Sequence, residues 1–363
     1  SINELSRFIG LKWQEQDIES FIIIMKRDIK GLSYNELDKV IIKEGFPSYR
    51  AKQIYDWLYL KKVNTFRQMS NLPLDLIHYL ESTFNFASLG CIKQNRSKDG
   101  TTKYLFQLSD KYLIESVLIR GKRRNTVCLS SQVGCLWHCL FCVSGKKGFQ
   151  RNLKAEEIVE QLISVQRTSG EQINNIVYMG MGEPFNNFEQ LIKSINIIND
   201  PKGINIGARK ITISTCGIIP GINQLALNPL QIELSVSLHS AEDWIRDYLM
   251  PVNKKYPLKK LIAACKKYTE KKNRQVTFEY LMLKGINDSR EQARKLSRLI
   301  SDFKAKVNLI IYNPVSFYTK LLPSEEDAVL AFQQVLQNNH IPVTARHSKG
   351  QDIQAACGQL RSN

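Results

Sequence analysis

A regular alternation of short apolar runs with amphipathic helical patterns fills the chain from about residue 121 onward, and it limits the possible folds more than any other feature. Each run is continuous and rich in Ile, Val and Leu, which is typical of a strand that helices cover on both faces. Helical patterns such as those at 154–168 and 258–272 separate the runs. The six predicted strands are residues 126–130, 175–179, 210–214, 232–238, 276–283 and 307–312. This order predicts an α/β fold in which a parallel sheet forms a partial (β/α)6 barrel of the TIM type.

Polar and reactive residues follow nearly every predicted strand. Three cysteines come after the first strand, and "GMGEP" (residues 180–184) comes after the second. The polar residues at the later strand ends are Ser214, Ser237, His239 and Asn313. Because the carboxyl ends of parallel barrel strands meet at one mouth, these residues should lie together. The sequence therefore predicts one functional site there.

The three cysteines, Cys135, Cys139 and Cys142, have the spacing C-x3-C-x2-C. Clustered thiolates suit zinc or an iron–sulfur cluster. A 4Fe-4S cluster usually takes four cysteines, so three leave one iron open for a chelating ligand such as S-adenosylmethionine. This spacing in a strand–helix loop favours that cluster. The alternative is a structural zinc site with His138 or His239 as fourth ligand.

The other residues at the predicted mouth suit a small polar ligand. Glycines in "GMGEP" let the backbone approach a ligand closely, and Glu183 can accept a hydrogen bond from an ammonium group. Ser214, Ser237, His239 and Asn313 could bind a carboxylate, a ribose and an adenine, although each could equally be a cap or turn residue. Cys128 and Cys357 are either ordinary buried cysteines or a reactive pair above the cluster.

The excess of basic residues predicts an anionic partner. Lys and Arg number 51 against 34 acidic residues, a net charge of +17, and nucleic acid is the usual partner of such a surface. The alternative is that the charge serves only solubility. No apolar run is long enough to span a membrane and no secretory signal is recognisable, so we expect a cytoplasmic protein.

Three domains are expected along the chain. Residues 1–90 read as a small basic helical module for RNA binding, with Ser33 and Ser48 as helix N-caps; the alternative is a module that only supports the barrel. Residues 91–120 alternate in the manner of a β-hairpin extension. Residues 121–363 form the barrel, which ends in the segment that carries Cys357.

Eight stretches spread over the chain carry a resemblance to a known family. They are "CLSSQVGC", "CVSGKKGFQRNL", "MGMGEP", "STCGIIP", "SLHS", "MPVNKKYP", "LIIYNP" and "DIQAACGQL". On these stretches the chain resembles, over essentially its full length, the RlmN/Cfr group of radical S-adenosylmethionine RNA methyltransferases, and its RlmN branch in particular. The resemblance implies a radical S-adenosylmethionine barrel with a 4Fe-4S cluster on Cys135, Cys139 and Cys142. It implies S-adenosylmethionine contacts at Gly182, Glu183, Ser214, Ser237, Leu238, His239 and Asn313.

The resemblance also implies roles for Cys357, Cys128 and Glu115. In this family, one S-adenosylmethionine molecule methylates the cysteine that corresponds to Cys357. A second molecule yields the radical that removes a hydrogen atom from the resulting S-methyl group. The carbon then adds to an adenine ring, and Cys357 ends in a disulfide with Cys128 that must be reduced. Glu115 matches the family's proton acceptor, so Glu115 and Cys128 compete for the ring proton.

The resemblance leaves the methylated carbon open. RlmN-type enzymes act at C2 of adenine 2503 in 23S rRNA, and some also act at adenine 37 of tRNA, whereas Cfr-type enzymes act at C8 of the same rRNA base. Pro184 and Val133 resemble the C2 class, while "SLHS" and "STCGIIP" lean toward the C8 class. We expect C2 methylation, with C8 as the alternative.

Two alternative functions belong to other classes. They are a zinc-stabilised, non-catalytic RNA-binding protein and a radical enzyme acting on a small molecule or peptide. The expected partners are RNA and an electron donor such as flavodoxin, and the expected state is a monomer.

Overall fold

The computed structural model of the protein describes residues 26–315, 318–346 and 348–360. The chain divides into two compact units, Ser1–Ser88 and Leu89–Asn363. The first 25 residues of the predicted N-terminal module lie outside the described residues. Of the helices that are described, none has the length and apolar character needed to cross a membrane.

The first unit is a small helical domain. Its elements are β1 (Arg27–Asp28), α1 (Tyr34–Lys43), α2 (Tyr49–Tyr59), α3 (Leu74–Thr83) and β2 (Phe84–Asn85). Ser33 caps α1 as predicted: its hydroxyl accepts from the Glu36 N–H, and the Glu36 carboxylate accepts from the Ser33 N–H at 2.8 Å. Ser48 lies at the N-cap position of α2 as predicted, but its backbone is already helical and its hydroxyl donates to Asp38 instead of capping a backbone N–H.

The described part of the second unit contains twelve strands. They are β3 (Gly90–Arg96), β4 (Thr102–Gln107), β5 (Leu113–Arg120), β6 (Asn125–Cys128), β7 (Gln132–Val133), β8 (Arg151–Asn152), β9 (Asn175–Tyr178), β10 (Ile211–Thr215), β11 (Glu233–Ser237), β12 (Val276–Met282), β13 (Ala305–Ile311) and β14 (Val343–Arg346). Strands β7 and β8 pair with each other, and the other ten form one sheet in the order β14-β13-β12-β11-β10-β9-β6-β5-β4-β3.

Seven strands of this sheet, β6 and β9 to β14, are parallel and form the barrel wall. All six predicted strands are present within a few residues of their expected bounds. The seventh, β14, was missed because its four residues lack a continuous apolar run and are only half-buried or exposed. By contrast, every residue of β12 is buried, as expected of a central parallel strand.

Helices follow the barrel strands. They are α4 (Val143–Lys146), α5 (Ala155–Ser169), α6 (Phe188–Asn199), α7 (Ile219–Leu227), α8 (Asp243–Leu249), α9 (Val252–Lys255), α10 (Leu258–Lys272), α11 (Arg290–Ile300) and α12 (Glu326–Asn338). Their apolar stripes supply much of the core, with Leu162, Ile195 and Leu296 fully buried. The predicted α/β barrel with a helical N-terminal domain is therefore confirmed.

Strands β3, β4 and β5 form an antiparallel extension of the barrel sheet. A two-stranded hairpin was predicted, whereas the extension has three strands. Strand β5 joins the extension to the barrel by pairing with β6. One face of the extension is apolar and packs on α5, where Ser116 also donates to Gln161 at 2.7 Å. Lys103 and Glu115 project from the opposite face, because strand residues alternate between faces.

Candidate active site

The three cysteines lie in a loop (residues 134–150, the cysteine loop) that strands β7 and β8 close at its base. The Cys135 N–H donates to Gly148 O at 3.2 Å and the Gln150 N–H donates to Val133 O at 2.9 Å. Gly134 has a φ of +74°, and a Cβ there would lie 1.8 Å from Gly148 O. The loop is therefore held by its own backbone, and glycine is required where its two ends meet.

Cys135, Cys139 and Cys142 all line one cavity of about 560 Å³ at the carboxyl ends of the barrel strands. Burial raises the pKa of Cys135 to about 12, and it raises the pKa of Cys139 well above its ordinary value, with Cys142 and Cys135 adding to the effect. Three thiols that oppose each other's ionisation would become thiolates only beside a cation. This donor set fits a soft metal centre.

A single metal ion does not fit the site as well as a cluster does. Among the described residues, no three Cys, His, Asp or Glu side chains are grouped as one ion requires. His239, one suggested fourth zinc ligand, uses Nδ1 to accept from the Leu281 N–H at 3.0 Å. Three cysteines that share a cavity without converging on one point suit a multi-iron cluster, whose corners separate its ligands.

The "GMGEP" turn brings Gly182 and Glu183 to the same cavity. Gly182 has a φ of +94°, and a Cβ there would lie 2.5 Å from the side chain of Gln132. The carboxylate of Glu183 is buried and accepts from the backbone N–H groups of Phe185 (3.0 Å) and Cys216 (2.7 Å). Burial raises the pKa of Glu183, while these hydrogen bonds oppose the rise. The carboxylate is thus fixed in place at the cavity wall.

Ser214, Ser237 and His239 also line the cavity, at the ends of β10 and β11. Burial lowers the pKa of His239 to about 3, so its ring is neutral near pH 7. Since Nδ1 accepts a hydrogen bond, the ring proton is on Nε2, which is a donor. The cavity is therefore lined by cysteines, hydroxyls, a neutral imidazole and a carboxylate.

Two predicted contact residues are not among those that line the cavity. Leu238 is fully buried beside His239, and its carbonyl accepts from Arg246. The Asn313 side chain donates to Ser348 at 2.9 Å and accepts from Gln351 at 2.7 Å. Asn313 thus binds the segment at the end of the chain instead of facing open space.

Residues 348–360, the C-terminal segment, bring Cys357 to the cavity wall. The Val143 N–H donates to Gly358 O at 2.8 Å, and the Ser144 hydroxyl donates to Leu360 O at 2.8 Å. Cys357 is exposed toward the cavity, yet the surrounding protein desolvates its thiol and raises its pKa to about 11. The segment is therefore bonded directly to the cysteine loop.

Cys128 and Glu115 do not line this cavity. Cys128 is buried at the end of β6, where burial raises its pKa and the charge of Cys357 adds to the effect. Glu115 lines a second cavity, of about 240 Å³, in which its carboxylate pairs with Lys103 at 3.1 Å.

Comparisons with known proteins agree with this geometry. Residues 129–296 match the radical SAM superfamily, and residues 27–85 match the ribosomal RNA large subunit methyltransferase N-terminal domain. The chain is 45% identical over 342 residues, 93% of each chain, to a probable dual-specificity RNA methyltransferase RlmN of Staphylococcus epidermidis. It is 46% identical over 339 residues, 92% of each chain, to the Geobacillus kaustophilus protein of that description. The chain belongs to the RlmN family of radical S-adenosylmethionine RNA methyltransferases.

A solved relative supports the family fold. A radical SAM methyltransferase from Sphaerobacter thermophilus matches with a TM-score of 0.88 and 40% identity, over 92% of this chain and 99% of that one. As a member of the family, the enzyme is a methyltransferase that uses a 4Fe-4S cluster and S-adenosylmethionine. The size of the cavity suits a nucleoside ligand of this kind.

Arg246 was not predicted as a site residue, yet it supports the strand ends that carry the site. Its guanidinium is fully buried and donates to three strand-end carbonyls, those of Cys216 (2.7 Å), Ser237 (2.9 Å) and Leu238 (2.8 Å). It thereby fixes the ends of β10 and β11. In the sequence this arginine stands in "WIRDYL" among other charges and resembles a surface residue.

Glu279 was also not predicted as a site residue, although its position within an apolar run indicates a special role. It lies on β12, lines the cavity and accepts from Asn308 at 3.0 Å and from Ser235 at 3.3 Å. Burial raises the pKa of Glu279. A carboxylate inside the apolar run "VTFEYLML" must face something polar, and here it faces the barrel interior.

Proposed function

We propose that this enzyme methylates C2 of adenine 2503 in 23S rRNA and C2 of adenine 37 in tRNA. The names of the relatives, which describe a dual-specificity RNA methyltransferase, support two RNA substrates. Pro184 at the cavity wall, a residue typical of the C2 class, supports C2 over C8.

The observation that carries this proposal is the position of Cys357. Its segment is hydrogen-bonded to the cysteine loop through Val143 and Ser144, so a carbon atom on the Cys357 sulfur would lie beside the ligand cavity. Methyl transfer to an unactivated ring carbon needs such a carrier near a radical source. We therefore assign Cys357 as the methyl carrier.

The other chain residues take supporting roles in the proposal. Cys135, Cys139 and Cys142 would hold the cluster, while Gly182, Glu183, Ser214, Ser237 and His239 would contact S-adenosylmethionine directly. Leu238 would contribute its backbone, and Asn313 would act through the C-terminal segment it binds. When bound, the two cofactors supply the methyl group and a 5′-deoxyadenosyl radical. Cys128 is favoured over Glu115 for the ring proton because Glu115 lines the second cavity. The Cys128 sulfur would then bond to the Cys357 sulfur while the carbon–sulfur bond at Cys357 breaks, and the proton on Cys128 would pass to the departing carbon, which becomes the methyl group.

The charge of the chain fits an RNA substrate. A target adenine must be extruded from folded RNA, which costs a few kcal/mol. Phosphate contacts from a chain of net charge +17 can offset this cost, and the N-terminal helical unit is proposed to supply part of them. An electron donor such as flavodoxin, a monomeric state and a cytoplasmic location stay predictions.

The test is methylation of RNA in vitro with reconstituted, anaerobically purified enzyme. A 23S rRNA fragment and a tRNA are each incubated with S-adenosylmethionine and a reductant, digested to nucleosides and analysed by mass spectrometry. We expect 2-methyladenosine from both RNAs and none with Cys357→Ala. Exclusive 8-methyladenosine would overturn the C2 assignment. A zinc-containing protein without iron and without methylated product would instead support the non-catalytic alternative.

A further inference from the structure

The antiparallel extension has a polar face that meets the C-terminal segment. Lys93, Asn95, Lys103 and Glu115 line the second cavity on one side, and residues 352–354 line it on the other. This face belongs to the same side of the sheet as the barrel interior, because Val117, two residues from Glu115, lies opposite Cys128. The extension therefore borders the segment that carries Cys357.

A buried ion pair lies at the centre of this contact. The ammonium of Lys103 is 3.1 Å from the Glu115 carboxylate, and the side chains are only 9% and 6% exposed. The same ammonium donates to the backbone carbonyl of Gln354 at 3.0 Å. Burying two charges is costly unless their geometry and remaining hydrogen bonds are satisfied. Here one remaining hydrogen bond of the ammonium goes to Gln354, three residues before Cys357.

Further hydrogen bonds tie the segment to the extension upstream of Cys357. The Ser97 hydroxyl donates to the Asp352 carboxylate at 2.6 Å, and the Lys98 N–H donates to it at 3.2 Å. The Gly350 N–H donates to Asp99 at 2.8 Å. The turn between β3 and β4 thus holds residues 350–352, and Lys103 holds residue 354.

Cys357 lies between two sets of anchors. The extension holds the chain up to Gln354, and the cysteine loop holds it from Gly358 onward through Val143 and Ser144. Three residues, 355–357, bridge the two. Without the Lys103 bond, the nearest hydrogen bond that ties the upstream chain to the extension would be at Asp352, five residues before Cys357.

We propose that Lys103 and Glu115 are positioning residues for the methyl carrier. Lys103 holds the backbone at Gln354, and Glu115 acts through Lys103 by fixing and neutralising its ammonium. Glu115 does not take the ring proton. This inference rests on the proposed function of Cys357 as the carrier, and it assigns the extension a task in catalysis at a distance from the reacting atoms.

The test compares Lys103→Met and Glu115→Gln with Lys93→Met in the reconstituted holoenzyme. Lys93 lines the same cavity and, within the described residues, its side chain has no hydrogen bond to the segment, so it is the matched control. Hydrogen–deuterium exchange is measured without RNA on peptides that cover residues 348–360 and residues 134–150. Both test variants should speed exchange in the first peptide by about tenfold and leave the second unchanged. Lys93→Met should change neither.

Activity then separates a positioning role from a proton-accepting role. If Lys103 and Glu115 position Cys357, both variants should slow methylation by a similar factor, and the double variant should be no slower than either single one. No RNA–protein adduct should accumulate. A Glu115→Gln variant that retains normal exchange and traps covalently linked RNA would overturn the proposal. Unaltered exchange in Lys103→Met would also overturn it.

The two readouts also keep this inference separate from the proposed function. Exchange is recorded without substrate, so it reports anchoring whichever base the enzyme methylates. If wild-type enzyme yields no 2-methyladenosine, the proposed function is refuted. The exchange data would still show whether Lys103 and Glu115 hold the C-terminal segment in place. Thermal melts of all variants confirm that each protein is folded before exchange is interpreted.

Discussion

The cysteine loop and the C-terminal segment both reach the same cavity, but they are held there in opposite ways. The cysteine loop is closed by its own hairpin, with the backbone bonds of Cys135 and Gln150 linking residues close in sequence. The C-terminal segment also has local backbone bonds, such as the one from the Ala355 N–H to Gly350 O at 2.8 Å, but its anchors to the rest of the unit are long-range. Its bonds to Ser97 and Lys103 join residues about 250 positions apart.

This difference separates two problems that one site must solve. A metal centre needs several ligands at fixed spacing, which a short loop can supply by itself. A methyl carrier must meet the centre and then the RNA base, so its position depends on the whole unit. The extension and the cysteine loop each hold the chain on one side of Cys357, the proposed carrier.

The largest expected effects come from removing one cysteine from each region. Cys135→Ser should lose the bound iron and all measurable methylation, because Cys135 is one of the three proposed cluster ligands. Cys357→Ala should lose methylation by at least about a thousandfold and keep its iron, because only the proposed carrier is removed. Iron analysis and absorption spectra, with methylation assays alongside, check both. Residual methylation by Cys357→Ala would contradict the carrier assignment.

A second prediction concerns Arg246, which supports the strand ends and not the C-terminal segment. Arg246→Met removes the donor to three buried carbonyls and should cost about 3 kcal/mol of unfolding free energy. That corresponds to a fall in Tm of roughly 6–12 °C for a unit of this size. Calorimetry measures the change, with the exposed Arg294→Met as the matched control. Equal melting of the two variants would show that the buried guanidinium adds nothing.

The sequence predicted most of the cysteine loop and much less of the carrier's surroundings, for a physical reason. C-x3-C-x2-C and "GMGEP" are local patterns, so their chemistry can be interpreted without knowing what packs against them. The six predicted barrel strands were equally accessible because each lies in a short run rich in Ile, Val and Leu, which is also a local pattern. Arg246 and Lys103 bear charges that look like surface residues until the fold buries them. Their roles exist only in long-range contacts, which no local pattern encodes.

A third prediction alters the junction of the two regions at Gly358. This residue has a φ of +82°, and a Cβ there would lie 2.9 Å from the Phe141 carbonyl oxygen of the cysteine loop. Gly358→Ala should push the segment away and lower the methylation rate by about tenfold, with the iron retained. Gly148→Ala is the control, because it has a similar φ of +75° but open space around its Cβ position. Similar losses in both variants would assign the effect to backbone strain and not to the lost junction.

The smallest expected effect is the pH dependence of the Asp99 anchor. Burial alone would raise the pKa of Asp99, but hydrogen bonds from Thr101 and from the Gly350 N–H lower it to about 2. A carboxyl with a lowered pKa stabilises the fold fully above its ordinary value of 3.8, and that contribution is lost as the pH falls through about 2. Exchange of the Gly350 amide, corrected for the intrinsic pH dependence of exchange, should therefore show constant protection between pH 5 and 8. Asp99→Asn keeps an accepting oxygen and should raise exchange by no more than about threefold, less than Lys103→Met does. Loss of protection already near pH 5 would mean that another group, and not this carboxylate, holds the start of the segment.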